Sequence, residues 1–132
     1  MLPGHGSRVV LVDDDASMSH ALVRILRLGG YVPVTFDSAE ALLEAGGARD
    51  AACLVFDVHL PGLTGFELYE RLASTGALPP AIFITAYDEP ESRSQAEALG
   101  AAGYFTKPFS GYELVAAIAR AIAARVPGTQ TQ

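Results

Sequence analysis

Short apolar runs alternate with amphipathic stretches five times along the chain. Arg8 to Val12 (RVVLV) is continuous and β-branched, the pattern of a strand buried on both faces. Met18, Leu22, Ile25 and Leu26 then recur at the spacing of a helix packed on one side, which Gly29-Gly30 ends. Tyr31 to Phe36 predicts a second strand, and Ser38 caps a short helix that stops before Gly46-Gly47. The third run, Ala52 to Phe56, halts abruptly at Asp57. Beyond a Pro61-Gly62 turn, Thr64-Gly65-Phe66-Glu67 has the spacing of a capping box, with Leu63 and Leu68 placed as a hydrophobic staple. That combination predicts a helix from about Gly65 to Ser74. Ala81 to Thr85 is the fourth run, and Asp88 to Pro90 opens a more polar helix that closes at Gly100. Tyr104-Phe105 marks a short fifth strand. Ser110-Gly111-Tyr112-Glu113 predicts a second capping box, and Leu114, Ile118, Ala121 and Ile122 carry the last helix to about Arg125.

Five βα units in 132 residues imply one α/β domain, a parallel sheet doubly wound with helices on both faces as (βα)5. The domain is expected over residues 8–125, with 1–7 and 126–132 as flexible tails or the stub of a linker. Composition agrees with a packed core: 50% of the residues are hydrophobic and 18% are charged. Nine Lys+Arg against fifteen Asp+Glu give a net charge of −6, which argues against direct nucleic-acid binding by this domain. No apolar run approaches the roughly 18 residues of a membrane span, and the first residues lack the design of a secretory signal. A cytoplasmic location is the expectation. The lone Cys53 sits in an apolar run and reads as a buried structural thiol. One oddity remains: eight of the nine basic residues are arginine, and Lys107 is the single lysine.

In open sheets of this kind ligands bind beyond the carboxyl ends of the strands. The first strand ends in Asp13-Asp14-Asp15, the third in Asp57, the fourth in Thr85, and the fifth runs into Lys107. Singly, each has an ordinary reading, as a helix cap, a turn residue, a β-favouring threonine or a solvated lysine. Together they place carboxylates, a hydroxyl and an ammonium on one edge. Carboxylates crowded in this way raise one another's pKa unless a cation joins them. Mg²⁺, which prefers one or two carboxylates plus water and phosphate oxygens, is the natural candidate. A metal, a spare carboxylate, a hydroxyl and a lysine suit phosphoryl transfer, with Asp as a nucleophile that forms an aspartyl-phosphate.

The segments VVLVDDD, CLVFDVHLPGLTGFEL, IFITAY and GAAGYFTKPF resemble the signature segments of response-regulator receiver domains of two-component signalling, from about Arg8 to Arg125. Asp14, Asp57, Thr85 and Lys107 follow one another at family-like intervals of 43, 28 and 22 residues. The resemblance implies the flavodoxin-like strand order 2-1-3-4-5. It implies a phosphorylation-dependent switch in which Asp57 accepts a phosphoryl group from a sensor histidine kinase or phosphotransfer protein. Asp13, Asp14 and Asp57, with the backbone carbonyl of His59, would hold Mg²⁺. Thr85 and Lys107 would each meet a phosphoryl oxygen, and a cis peptide before Pro108 would aim Lys107 inward. Tyr104 matches the aromatic position whose rotamer follows Thr85, so the face of the fourth helix, fifth strand and fifth helix would change on phosphorylation and regulate an output domain or partner. A homodimer through that face is also implied. Bulky His59 and Tyr87 flank the acceptor and would slow the water that hydrolyses the acyl phosphate.

Two rivals stand beside this reading. Haloacid-dehalogenase-like phosphatases share the Asp, Mg²⁺, Ser/Thr and Lys, but need an acidic residue where His59 stands and a cap for which there is no spare length. On the receiver reading the chain is not an enzyme in that sense; it catalyses only its own phosphorylation and slow dephosphorylation. A receiver-like module that docks without phosphorylation would usually lack part of the acidic pair, the acceptor or the lysine, and all are present. Segments such as TFDSAEALL look most like receivers that precede a helix-turn-helix output domain, so a stand-alone receiver and one domain of a longer regulator both remain open.

Overall fold

The structure is a computed structural model that describes residues 6–76 and 78–125. Its elements are β1 (Arg8–Val12), α1 (Ala16–Leu28), β2 (Val32–Phe36), α2 (Ala39–Glu44), β3 (Cys53–Asp57), α3 (Gly65–Ala73), β4 (Ala81–Thr85), α4 (Pro90–Ala98), β5 (Gly103–Thr106) and α5 (Gly111–Arg125). The five strands form one sheet in the order β2-β1-β3-β4-β5, and every pairing is parallel. The expected doubly wound (βα)5 architecture with order 2-1-3-4-5 is therefore the fold. Positions 1–5 and 126–132, which hold most of the two expected tails, lie outside the described residues. Gly6 and Ser7 are hydrogen bonded to Gly30 and Val32.

The continuous apolar runs are explained by a core on each face. Val9 and Leu11 of β1, Cys53 and Val55 of β3, and Ile82 and Ile84 of β4 point to one side, where α1 brings Leu22 and Leu26 and α5 brings Leu114 and Ile118. The alternate residues Val10, Val12, Leu54, Phe56 and Phe83 point to the other, against Leu42 of α2 and Leu68 and Leu72 of α3. Each such side chain contributes roughly 1.5–3 kcal/mol when fully buried, against about 1 kcal/mol for a helix cap, so the two cores rather than the caps hold the layers together. Cys53 is fully buried, and burial pushes its thiol pKa up to about 12. The polar α4 is the exception in this packing, since its buried residues are only Ser92 and Ala96.

Local differences from the sequence reading have physical causes. The second strand begins at Val32 rather than Tyr31, because the Tyr31 amide donates to Leu26 O (3.0 Å) and closes the end of α1. Gly30, at φ 89°, donates to Arg27 O in the same Schellman motif, a conformation glycine adopts freely. The third strand runs to Asp57 itself, which pairs with Ile84. The capping box at Thr64 and Glu67 forms in both directions, at 3.1 and 2.9 Å. The second box is only half made. Ser110 Oγ accepts from the Tyr112 and Glu113 amides, but among the described residues Glu113 makes no return bond and lies exposed.

Candidate functional site

The carboxyl ends of β1, β3, β4 and β5 assemble the site. The three consecutive aspartates after β1 divide their work. Asp15 is the N-cap of α1, accepting from the Met18 amide at 3.2 Å. Asp13 is buried, with its amide on Phe36 O and its Oδ1 accepting from the Asp15 amide at 2.9 Å. Asp14 is exposed at the rim. One carboxylate oxygen from each of Asp13, Asp14 and Asp57 lies within 4.8 Å of the others.

Lys107 reaches into this cluster. Its Nζ donates to Asp57 Oδ2 at 2.8 Å and to Asp13 Oδ2 at 3.1 Å, and its amide donates to Thr85 O at 2.7 Å. The Lys107-Pro108 peptide is cis. Burial works against the Lys107 ammonium, but the two carboxylates more than offset it and raise its pKa. Asp13 is moved the other way from an ordinary carboxylate: burial first, then the negative charge of Asp57, raises it from 3.8 to about 6 against hydrogen bonds from Asp15 and Lys107. Desolvation therefore contributes more than the crowding that the sequence pointed to. One ammonium does not hold Asp13 in the usual carboxylate range. An all-oxygen donor set with unbalanced negative charge fits a hard divalent cation.

The chain beyond Asp57 is tightly held. The His59 amide donates to Asp57 Oδ1 at 2.8 Å. Gly65, the first residue of α3, sits so close that a Cβ there would collide with the Asp57 carbonyl, and its amide donates to Val58 O at 3.0 Å. Neither sequence pattern nor spacing singled out this glycine for the site. Across the mouth, the His59 and Tyr87 rings meet edge to face, with centroids 5.1 Å apart at 87°. Both residues are exposed, and the pair bridges the loops after β3 and β4.

Thr85 is fully buried at the end of β4, yet its hydroxyl is engaged locally. It donates to Tyr87 O at 3.1 Å and accepts from the Tyr87 amide at 3.0 Å, so it stands outside the hydrogen-bonded cluster of Asp13, Asp57 and Lys107. Tyr104, on β5, has a buried hydroxyl without a partner among the described residues. The Arg93 guanidinium lies 4.7 Å from its ring centroid and is itself bonded to Asp88 at 2.9 Å. Burial raises the Tyr104 pKa. The sequence reading placed the polar fourth helix on the face expected to change, but gave no sign that its Arg93 lies over Tyr104.

The family profile of the response regulator receiver domain matches residues 9–119. Relatives include the transcriptional regulatory protein FixJ of Bradyrhizobium diazoefficiens, 32% identical over 94% of this chain and 60% of FixJ. The response regulator protein FleR of Pseudomonas aeruginosa is 33% identical over 94% of this chain and 26% of its own length. The chain thus spans at most about three fifths of these relatives. Among solved structures, the signal receiver domain of NarL from Mycobacterium tuberculosis superposes with a TM-score of 0.80 at 30% identity, over 92% of this chain and 99% of that one. Among the described residues no helix is long and apolar enough to cross a membrane. With the sheet order, the strand-end carboxylates and these likenesses in agreement, the chain belongs to the response regulator receiver domain family.

Proposed function

We propose that Asp57 is the phosphoacceptor of a two-component switch, charged by a sensor histidine kinase or phosphotransfer protein, in a domain running over residues 8–125. The observation that carries this reading is the Lys107 ammonium held between Asp57 Oδ2 (2.8 Å) and Asp13 Oδ2 (3.1 Å) inside a cluster of three carboxylates. An Asp57 carboxylate oxygen attacks phosphorus, a P–O bond forms as the P–N bond to the donor imidazole breaks, and the imidazole leaves with the electron pair. Asp13, Asp14, Asp57 and the His59 carbonyl are the groups to hold Mg²⁺, which would supply charge compensation at the phosphoryl oxygens. Lys107 pairs with a second phosphoryl oxygen, exchanging part of its contact with the carboxylates for it.

Thr85 is the moving part of this scheme. To reach a phosphoryl oxygen its hydroxyl must leave Tyr87 O, which frees the loop after β4. Tyr104 then repacks, and the α4-β5-α5 face changes between two populated arrangements. That face regulates an output domain or partner and is the surface for a homodimer. The phosphoryl group is long-lived because His59 and Tyr87, whose rings meet edge to face, flank the acceptor from the loops after β3 and β4. The domain catalyses its own phosphorylation and slow dephosphorylation, in the cytoplasm, without itself contacting nucleic acid.

Intact-mass measurement after incubation with Mg²⁺ and acetyl phosphate tests the reading, beside Asp57→Ala and a metal-free control. The expected result is a gain of one phosphoryl group, lost in both controls. No gain with acetyl phosphate or with a phosphorylated histidine-kinase donor, despite Mg²⁺ binding, overturns it in favour of a docking module.

A further inference from the structure

We infer that Glu40, on α2, is a positioning residue of the Asp57 site: it fixes the loop that presents the His59 carbonyl. This inference rests on the metal-dependent phosphoacceptor reading given above.

Beyond the Val58 amide, which continues the sheet ladder by donating to Ile84 O at 2.8 Å, the loop between β3 and α3 is held at four backbone amides. His59 donates to Asp57 Oδ1 (2.8 Å), Gly65 to Val58 O (3.0 Å) and Thr64 to Glu67 Oε1 (2.9 Å). Those three bonds close within the β3-α3 unit and would travel with it if it shifted. The fourth is different. The Leu63 amide donates to Glu40 Oε2 at 3.2 Å, from a side chain 23 residues earlier. Among the described residues, it is the side-chain bond that ties this loop to another element.

Two further features show that the contact is built in. Gly62 has φ +75°, and a Cβ there would lie 2.6 Å from Glu40 Oε2, so the glycine both makes the turn and lets the carboxylate lie against the backbone. Glu40 itself stands on a fixed base. Its neighbour Ala39 and Leu42 are fully buried, and Ser38 Oγ caps α2 by accepting from the Ala41 amide at 3.1 Å. A carboxylate accepting from an amide is a charge-assisted hydrogen bond, stronger than a neutral one at equal geometry; at 3.2 Å and exposed to solvent, this one has the worth of an ordinary hydrogen bond. Holding Leu63 restrains the span from Leu60 to Thr64, and through it the direction of the His59 carbonyl. Small displacements of a ligand-bearing loop cost affinity at a site that needs near-ideal geometry, as Mg²⁺ does.

The test uses the full 132-residue chain with Mg²⁺ alone, titrated by NMR at the amides around Asp57, in wild type, Glu40→Ala and Glu40→Gln. Leu63 amide exchange is followed in the metal-free proteins. Glu40→Ala is expected to speed Leu63 exchange and weaken Mg²⁺ binding about three- to tenfold, the worth of one ordinary hydrogen bond. Glu40→Gln keeps an acceptor oxygen and recovers most of the loss, which a general loss of α2 stability would not do. Equal Mg²⁺ affinity in wild type and Glu40→Ala overturns the inference, whether or not Leu63 exchange changes. Wild type that binds no Mg²⁺ overturns it together with the metal-dependent reading, whereas wild type that binds Mg²⁺ but takes up no phosphoryl group defeats only the phosphoacceptor reading.

Discussion

The Lys107 amide donates to the Thr85 carbonyl at 2.7 Å, so the lysine and the threonine of the site are joined by the backbone at the ends of β4 and β5. The lysine side chain then turns to Asp57 and Asp13 while the threonine hydroxyl turns to Tyr87. Lys107→Met keeps the backbone bond and removes the ammonium. Two carboxylates then lose their shared partner in a largely buried place, and we expect a loss of about 1–3 kcal/mol in urea unfolding. Saturating Mg²⁺ should restore much of that loss, because a cation again offsets the carboxylates.

Asp13 sets a pH dependence of opposite sign to the usual stabilising carboxylate. Its pKa is about 6 in the folded protein and about 3.9 in an unfolded chain. Between these values the folded state binds more protons, so the contribution of Asp13 to stability falls as pH rises from about 4 to about 6 and stays low above. Asp13→Asn lacks this component. The difference in urea midpoint between wild type and Asp13→Asn should therefore shift in favour of the variant across that window, and an unchanged difference would refute the assignment.

Gly65→Ala places a methyl group against the Asp57 carbonyl and the Val58 Cα. Helix propensity alone would favour alanine there, by up to about 1 kcal/mol. Backbone on the other side cannot swing away as a side chain could, so overpacking of about 1–3 kcal/mol is expected to win. Thermal unfolding gives the sign directly, and phosphorylation by acetyl phosphate should slow in parallel as Asp57 is displaced.

The His59–Tyr87 pair predicts the lifetime of the phosphoryl group. In a His59→Asn, Tyr87→Ala double variant the rings no longer meet, and water gains a path to the acceptor. Dephosphorylation followed by intact mass should be severalfold faster than in wild type. An unchanged rate would sink the idea that the rings shield the acyl phosphate.

Arg93 lies over the Tyr104 ring as an exposed cation–π contact. Its removal in Arg93→Ala should loosen the ring, seen as increased exchange broadening of Tyr104 resonances, without altering the amides around Asp57. The guanidinium is anchored by Asp88, three residues beyond Thr85, so Asp88→Asn should reproduce the effect more weakly.

Strands were legible because both faces of β1, β3 and β4 are covered, which leaves unbroken apolar runs. The strand ends were legible because parallel topology forces them to one edge. Boundaries were less so where a backbone amide had two possible partners, as at Tyr31, whose amide goes to Leu26 rather than to the sheet ladder. The Ser110 box misled because the right residue types at the right spacing do not oblige Glu113 to fold back. Nothing local in the sequence points from Glu40 to Leu63, since that bond depends on how α2 settles beside the loop. The elevated Asp13 pKa was foreseen from crowding, but its main cause, burial, depends on the packed structure.

Cys53 lies under both α1 and α5 with no exposed surface and a pKa of about 12, so at neutral pH it offers alkylating reagents neither access nor thiolate. Because it is the only native cysteine, a second one introduced by mutation on α4 could carry a spin label or fluorophore at a single defined position, with Cys53 left in place. The motion of the polar α4, which buries only Ser92 and Ala96, thus becomes measurable by spectroscopy in the otherwise native molecule.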